Sequence, residues 1–174
     1  MSEWRAALHR HFRRALRAGF PVLGTSEHRS TLFNSTPYVV AYAEFVQRAA
    51  TWPGRADLVG ALQECYSHAQ AAGVVVDAML IGGSFLDLEG EPPRDIDGVW
   101  LYRSAHGRGN DVEHLVALQK RFKAHSVDVR FVPLDSDPIL LLKAVSFFSI
   151  LYTKRKGEMA HSRGLLLVDC VGAR

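Results

Sequence analysis

The sequence contains little that would place the protein outside a reducing compartment or inside a membrane. It has only two cysteines, Cys65 and Cys170, which show no metal-ligand spacing and cannot form a disulfide framework. The basic N-terminus lacks the continuous apolar segment of a secretory signal. The longest apolar run, at 139–152, contains Lys143 and is too short to cross a bilayer as a helix. These absences predict a cytoplasmic protein with free thiols and no membrane association.

A strong charge of one sign is also missing. The net charge of the 174 residues is +3, which permits an anionic ligand but does not require nucleic acid. The eight histidines are scattered, and none forms a ligand pair with a cysteine or an acid, which argues against zinc. We find no repeat, low-complexity tract or linker. With 48% hydrophobic residues, the chain is predicted to fold as a single domain over 1–174.

The apolar patterns predict an α+β fold with a mixed β-sheet. Residues 1–73 are expected to be a helical N-terminal part, 74–133 the core of the sheet, and 134–174 a region of C-terminal strands. Short runs rich in β-branched and aromatic residues predict strands near 75–81, 96–103, 126–133, 145–152 and 165–171. We expect the helices to pack mainly on one face of this sheet. A functional site is then expected at the exposed edge of the other face.

Helices are predicted from four-residue periodicity and from capping residues. One helix over 2–18 has an apolar stripe that begins at Trp4, and Thr36-Pro37 is expected to start a second helix that ends near 50. A third is predicted over 55–72, with Gly73 in the left-handed conformation that ends many helices. A fourth begins near Asn110, which has the position of an N-cap.

The most informative motif is a glycine turn followed by paired aspartates. The run Ile81-Gly82-Gly83-Ser84 ends eleven residues before Asp95-Ile96-Asp97. A Gly-Gly-Ser turn allows backbone N–H groups to approach a phosphate closely. Two carboxylates separated by one residue on a strand share a face, because side chains alternate. The combination predicts a site in which divalent metal ions hold a nucleoside triphosphate.

A third carboxylate, Asp128, is expected on the strand near 126–133, on the side opposite the apolar residues. Two Mg²⁺ ions, or Mn²⁺, would then be held by Asp95, Asp97 and Asp128. In this hypothesis Asp128 also accepts the proton of the acceptor hydroxyl. Gly82, Gly83 and Ser84 would bind the β- and γ-phosphates.

Two arginines and a basic tripeptide leave alternatives open. Arg94 and Arg130 adjoin the proposed carboxylates and either contact phosphate or form local ion pairs. Lys154-Arg155-Lys156 is either a solvated loop or a site that neutralises triphosphate or RNA. The competing explanation of the whole motif is purely structural: a glycine turn between strands, with Asp95 turning the chain and Asp128 at the surface.

The succession of Gly-Gly-Ser, Asp-Ile-Asp and Val127-Asp128-Val129 resembles the DNA polymerase β-like nucleotidyltransferase superfamily over about 74–133. It is most similar to the minimal nucleotidyltransferases of prokaryotes, many of which occur in toxin–antitoxin or defence operons. The resemblance implies transfer of a nucleoside monophosphate from an NTP such as ATP to a protein or tRNA hydroxyl. It also implies a cognate toxin or antitoxin partner. By this resemblance Gly83 and Ser84 match the phosphate turn, and the three aspartates match the metal ligands.

Two other functions remain open from the sequence. The same fold could be a catalytically silent module that senses NTP or binds a partner protein, as an antitoxin does. Alternatively, the N-terminal helix could bind RNA through its arginines, which include Arg10, Arg13, Arg14 and Arg17. The low net charge counts against the second of these.

Overall fold

The computed structural model describes residues 3–23, 30–104, 112–154 and 163–173. Two short helices, α1 (Glu3–His9) and α2 (Phe12–Arg17), come first and are followed by strand β1 (Tyr38–Ala41) and helices α3 (Tyr42–Ala49) and α4 (Ala56–Ala71). Strand β2 (Val74–Gly82) leads into a 3₁₀ turn (Gly83–Leu86) and strand β3 (Ile96–Ser104). Helix α5 (Val112–Ala124), strand β4 (Val127–Pro133), helix α6 (Pro138–Thr153) and strand β5 (Leu166–Asp169) complete the order. The architecture is α+β, as predicted.

The five strands form one mixed sheet in the order β1-β5-β2-β3-β4. β2 is antiparallel to both of its neighbours, β3 and β5, whereas the outer pairs β1–β5 and β3–β4 are parallel. Because β4 follows β3 through α5, the β3–β4 pair starts at the same end of the sheet, which is also the end where β2 stops at Gly82. The glycine turn and the starts of β3 and β4 therefore lie together.

The two faces of the sheet differ in what covers them. Helices α3, α4 and α5 pack on one face, where the main apolar core includes Phe45, Leu62, Trp100 and Phe122. Helix α6 packs on the other face through Phe148 and Tyr152, over a smaller cluster that contains Leu80, Val99 and Leu165. The main core thus lies on one face only, and α6 crosses the face that also bears the aspartates.

The prediction of one continuous N-terminal helix over 2–18 is wrong. The chain turns at residues 10–11 and forms two short helices instead. This turn allows Phe12 and Ala15 to enter the core beside Phe20, whereas Trp4 remains 57% exposed. Burial of Phe12 outweighs the continuation of a single amphipathic stripe.

The predicted helix start at Thr36-Pro37 is also wrong. Residues Tyr38–Ala41 form β1, and the helix begins only at Tyr42. The Thr36 Oγ1 atom accepts a hydrogen bond from the Leu165 N–H at 2.6 Å, so this side chain joins β1 to β5 and caps no helix. The parallel ladder with β5 satisfies the backbone groups that local sequence assigned to a helix.

The predicted strand at 145–152 is a helix in the structure, so the region 134–174 contributes only β5 to the sheet. Pro138 occupies the first turn of α6, and the Asp137 carboxylate accepts a hydrogen bond from the Ile139 N–H at 2.8 Å. This N-cap starts the helix in spite of the β-branched and aromatic residues that follow. The other strands, the helix α4 and the positive φ of Gly73 (82°) are confirmed.

Candidate functional site

Asp97 and Asp128 lie directly beside each other. They are register partners in the parallel β3–β4 pair, in which Ile96 pairs with Val127 and Asp97 with Asp128. Alternation along each strand directs both carboxylates away from the main core, because Ile96 and Val127 are fully buried in it. Asp95 lies one residue before β3 and is close enough to affect the ionisation of Asp97. The predicted convergence of these two strands is therefore present.

The glycine turn lies against this pair of aspartates. Gly82 ends β2 as the register partner of Asp97, and Gly83 follows with φ of 69°. A Cβ atom at Gly83 would lie 2.7 Å from Asp97 Oδ2. Both the left-handed backbone and the close carboxylate therefore require glycine at this position. Ser84 is exposed at the start of the 3₁₀ turn, next to the same carboxylate face.

Burial and neighbouring carboxylates raise the pKa of Asp97. Desolvation has the largest effect, and the negative charges of Asp95 and Asp128 add to it. Lys123 and Arg130 act in the opposite direction but do not cancel the increase. The site is thus a place where an additional positive charge would favour the ionised carboxylate.

Asp128 is already paired with two cations. Lys123 Nζ donates to Asp128 Oδ2 at 2.7 Å, and Arg130 Nη1 donates to Asp128 Oδ1 at 2.6 Å. Desolvation alone would raise the pKa of Asp128, but the hydrogen bonds from Lys123 and Arg130 outweigh it and lower this pKa. Of the two alternatives for Arg130, the structure shows the ion pair. Arg94 lies exposed beside Asp95.

The carboxylates in the described part of the chain do not by themselves assemble a complete metal-ligand set. Among the residues that the structure describes, no group of three His, Cys, Asp or Glu side chains could hold a metal ion. The Asp97–Asp128 pair, the adjacent Asp95 and the main-chain groups of the glycine turn supply the oxygen ligands that Mg²⁺ prefers. Lys123 and Arg130 would have to leave Asp128 before this carboxylate could coordinate a cation.

Arg55 forms hydrogen bonds with the main chain that follows the glycine turn, and no sequence motif predicts this role. Its guanidinium is buried and donates to main-chain carbonyls of Phe85 at 3.2 Å and Asp87 at 2.6 Å. It also donates to the Pro53 carbonyl and, at 3.5 Å, to that of Ser84. Desolvation lowers the pKa of Arg55, and the charge of Asp87 partly offsets this. Arg55 therefore holds the backbone that follows Gly83 in one conformation.

A second arginine reaches the same turn from the other end of the chain. Arg163 Nη2 lies 3.4 Å from Asp87 Oδ2, and both side chains are largely shielded from solvent. Sequence alone assigned Asp87 no function. The structure makes it a partner of Arg163, which connects the loop after the glycine turn to the segment that leads into β5. Glu89 and Glu91, the other acids of this loop, are exposed.

Tyr152 is a further site residue that the sequence did not predict. It lies in the last turn of α6, and its Cβ atom would lie 2.6 Å from a Cβ atom added at Gly82. Burial is the main reason why the pKa of the Tyr152 phenol is raised, and Asp97 and Asp128 add to this effect. The predicted strand at 145–152 did not place Tyr152 at the site. The helix brings this residue over the end of β2.

The remaining basic segments contribute less to this site. In α2, Arg13 forms an ion pair with Glu44 at 2.9 Å, and RNA binding by this helix stays a prediction. Lys154 is exposed, whereas Arg155, Lys156 and the predicted cap Asn110 lie outside the described residues. None of the helices in the described segments combines the length and hydropathy needed to cross a bilayer.

Comparison with known families places the chain in one of them. A model described as a family of unknown function, DUF6932, matches residues 25–169. This match covers most of the chain, including the whole sheet, the glycine turn and the three aspartates, so the protein belongs to that family. No curated protein and no solved structure shows a significant match to the sequence.

Proposed function

We propose that this protein is a Mg²⁺-dependent nucleotidyltransferase that moves a nucleoside monophosphate from an NTP to a hydroxyl group. The observation that supports it best is the juxtaposition of Asp97 and Asp128 in register across β3 and β4, with the Asp97 carboxylate against Gly83. Nucleotidyl transfer requires charge neutralisation and positioning more than a covalent catalyst. A carboxylate pair beside a glycine turn has the metal ligands and main-chain N–H groups that these two tasks need.

The residues divide between the metal and the triphosphate. Asp97 and Asp128, with Asp95 beside them, would hold Mg²⁺, which supplies positive charge to the phosphate oxygens and to the attacking hydroxyl. Main-chain N–H groups of Gly83 and Ser84 would bind the β- and γ-phosphates. In this proposal Lys123 and Arg130 exchange their contacts with Asp128 for contacts with the anionic substrate.

The chemical step is a displacement at the α-phosphorus. The acceptor oxygen forms a bond to this phosphorus, the bond to the oxygen bridging to the β-phosphate breaks, and pyrophosphate leaves with the electron pair. The hydroxyl proton passes to a site carboxylate. Asp128 is the expected acceptor of this proton. The acceptor would be a protein or tRNA hydroxyl, with ATP as a candidate donor.

Label transfer tests this proposal directly. The full chain is incubated with each NTP labelled at the α-phosphate, Mg²⁺ or Mn²⁺, total tRNA and cell lysate. Asp97→Asn should lower label transfer and pyrophosphate release by roughly 10²–10³-fold, as loss of a group that stabilises transition-state charge does. The matched control is Asp57→Asn, which alters an exposed aspartate in the first turn of α4 and should retain activity. Equal transfer by Asp97→Asn and the unaltered protein would contradict the proposal.

A second candidate is a catalytically silent module that binds NTP, or a partner protein in the manner of an antitoxin. The ion pairs of Asp128 with Lys123 and Arg130 favour this candidate, because they neutralise the carboxylate without a metal. NTP would then raise the melting temperature without pyrophosphate release. Such stabilisation should occur without Mg²⁺ and should weaken when Lys123→Met removes one cation. Turnover that depends on Asp97 would exclude this alternative.

A further inference from the structure

The glycine turn lies between two chain segments that carry opposite charges. On one side, Gly82 is the register partner of Asp97 at the start of β3. On the other side, β2 pairs with β5, and Ile81 is the partner of Leu166. Because this second pair is antiparallel, the residues just before Leu166 run alongside the turn, and Arg163 comes three residues before it. The turn therefore has a carboxylate on one flank and a guanidinium on the other.

Arg163 approaches the turn on the α6 side of the sheet, which is also the side of the aspartates. It lies two residues before Leu165, which packs in the small cluster under α6. Its main-chain N–H donates to the Thr153 carbonyl at 3.4 Å, at the C-terminal end of α6. Arg163 is only 9% exposed, so its side chain is held between α6 and the turn and does not extend into solvent.

Asp87 brings this guanidinium to the end of the glycine turn. Arg163 Nη2 lies 3.4 Å from Asp87 Oδ2, and the Asp87 N–H donates to the Ser84 carbonyl at 3.1 Å. A guanidinium binds phosphate oxygens through two parallel N–H donors, as it binds a carboxylate. A terminal phosphate carries more negative charge than the Asp87 carboxylate. A phosphate bound at the turn would therefore compete with Asp87 for Arg163.

We propose that Arg163 binds the γ-phosphate of the NTP and that Asp87 releases Arg163 when this phosphate binds. The inference rests on the proposed function, since it takes the glycine turn as a phosphate site. Neighbouring strands are about 4.8 Å apart, so β3 and β5 lie on the order of 10 Å apart across β2. A triphosphate laid across the turn has its α-phosphate at the carboxylates and its γ-phosphate at Arg163. A diphosphate in the same position lacks the group that Arg163 binds, so the site selects triphosphates.

Equilibrium binding tests this assignment without turnover. The full chain is titrated calorimetrically, with Mg²⁺ present, with the α,β-methylene analogues of the common ribonucleoside triphosphates and diphosphates, from which no nucleoside monophosphate can be transferred. For the base that binds most tightly, the triphosphate should bind about 10–100-fold more tightly than the diphosphate, as expected for a charge-assisted contact. Arg163→Gln should remove this preference by weakening triphosphate binding alone, with diphosphate binding nearly unchanged.

Further variants separate phosphate binding from a purely structural link between Arg163 and the turn. Asp87→Asn keeps the side-chain shape but removes the competing charge, so it should bind the triphosphate about 2–5-fold more tightly. Arg163→Lys keeps the charge without the two parallel donors and should retain part of the preference. The matched control is Arg48→Gln, which removes an arginine of α3 and should change neither affinity. Circular dichroism checks that each variant is folded.

The outcomes distinguish this inference from the proposed function. Equal losses of triphosphate and diphosphate affinity in Arg163→Gln, or an unchanged preference, would overturn the role of Arg163 and leave the nucleotide site in place. Weaker triphosphate binding by Asp87→Asn would reduce the Asp87–Arg163 pair to a structural link and would also overturn it. If no analogue binds the unaltered protein, both proposals fail. A preference that depends on Arg163 in a protein that transfers no label would support this inference and contradict only the transfer reaction.

Discussion

The two faces of the sheet have different compositions and different tasks. On the face covered by α3, α4 and α5, aromatic rings contact one another in a continuous series. The ring centroid of Trp100, for example, lies 5.6 Å from that of Phe122 and 5.8 Å from that of Phe131. On the α6 face, the buried cluster is small, and Asp97 and Asp128 lie on the same face at the starts of β3 and β4. The first face is predominantly apolar, whereas the second joins an apolar patch to an acidic one.

This difference indicates where stability and chemistry reside. Most apolar area is buried on the main-core face, so that face provides most of the free energy of folding. The α6 face can then tolerate partly buried carboxylates, which raise the free energy of the fold unless cations pair with them. Lys123 and Arg130 provide such pairing for Asp128, and the turn at Gly83 brings Asp97 close to the main chain. Apolar burial on the opposite face thus offsets the free energy that the partly buried carboxylates of the site cost.

The largest expected effect comes from removing the centre of the main core. Trp100 is fully buried and contacts Tyr66, Phe122 and Phe131. Trp100→Ala should lower the free energy of unfolding by about 3–5 kcal/mol, because it leaves a large cavity among rigid rings. Urea denaturation followed by circular dichroism measures this loss.

The adjacent residue of β3 sharpens the comparison between the faces. Val99 is fully buried in the small cluster under α6, and Val99→Ala should cost only about 1–2 kcal/mol. Val112→Ala, at a position that is 73% exposed, should change stability by less than about 0.5 kcal/mol. If Trp100→Ala cost no more than Val99→Ala, the main core would not be the source of stability that we infer.

A somewhat smaller effect is expected at the link between the faces. Arg55 precedes α4, on the main-core side, and its guanidinium bonds the carbonyls of the turn beside the aspartates. Arg55→Met keeps most of the side-chain volume but removes the guanidinium donor to the Phe85 carbonyl and one of the two donors to the Asp87 carbonyl. We expect a loss of about 2–4 kcal/mol in urea denaturation.

The matched control for this change is another arginine-to-methionine substitution. Arg48 forms a partly exposed i,i+4 ion pair with Glu44, and Arg48→Met should cost only about 0.3–0.5 kcal/mol. Equal losses at Arg48 and Arg55 would show that the turn does not depend on the buried guanidinium. Faster proteolysis within 83–87 in Arg55→Met alone would support the role assigned to it.

Local sequence patterns predicted the parts of the fold in which local and tertiary preferences agree. The strands β2, β3 and β4 and the helix α4 have the expected periodicity, and β3 and β4 were predicted to bring Asp97 near Asp128. The errors fall where a distant partner or an overlooked helix cap decides. β1 is a strand because β5, from the far end of the chain, pairs with it. Residues 145–152 favour a strand locally, but the cap at Asp137 begins a helix that packs on Leu80 and Val99.

The site was predictable only in its carboxylates and its glycine turn. Those residues are adjacent in sequence or in register, so spacing reveals them. Lys123 reaches Asp128 from the end of α5, and Arg55 and Arg163 reach the turn from opposite parts of the chain. Neither a motif nor a periodicity specifies such contacts, because they depend on how α4, α5 and the segment before β5 pack.

The smallest expected effect separates two reasons why position 83 requires glycine: the positive φ of the backbone and the closeness of the Asp97 carboxylate. Gly73 and Gly83 both have positive φ, but a Cβ atom would meet nothing within 4 Å at Gly73 and would lie 2.7 Å from Asp97 Oδ2 at Gly83. Gly73→Ala should therefore lose only the backbone preference, about 1 kcal/mol. Gly83→Ala should lose about 1–2 kcal/mol more than that, because the carboxylate must also move. In the double variant Gly83→Ala/Asp97→Ala this excess should disappear, giving a coupling of about 1 kcal/mol in a double-mutant cycle. Strict additivity would mean that the carboxylate does not lie against the turn in solution, and the contact on which the proposed site depends would be lost.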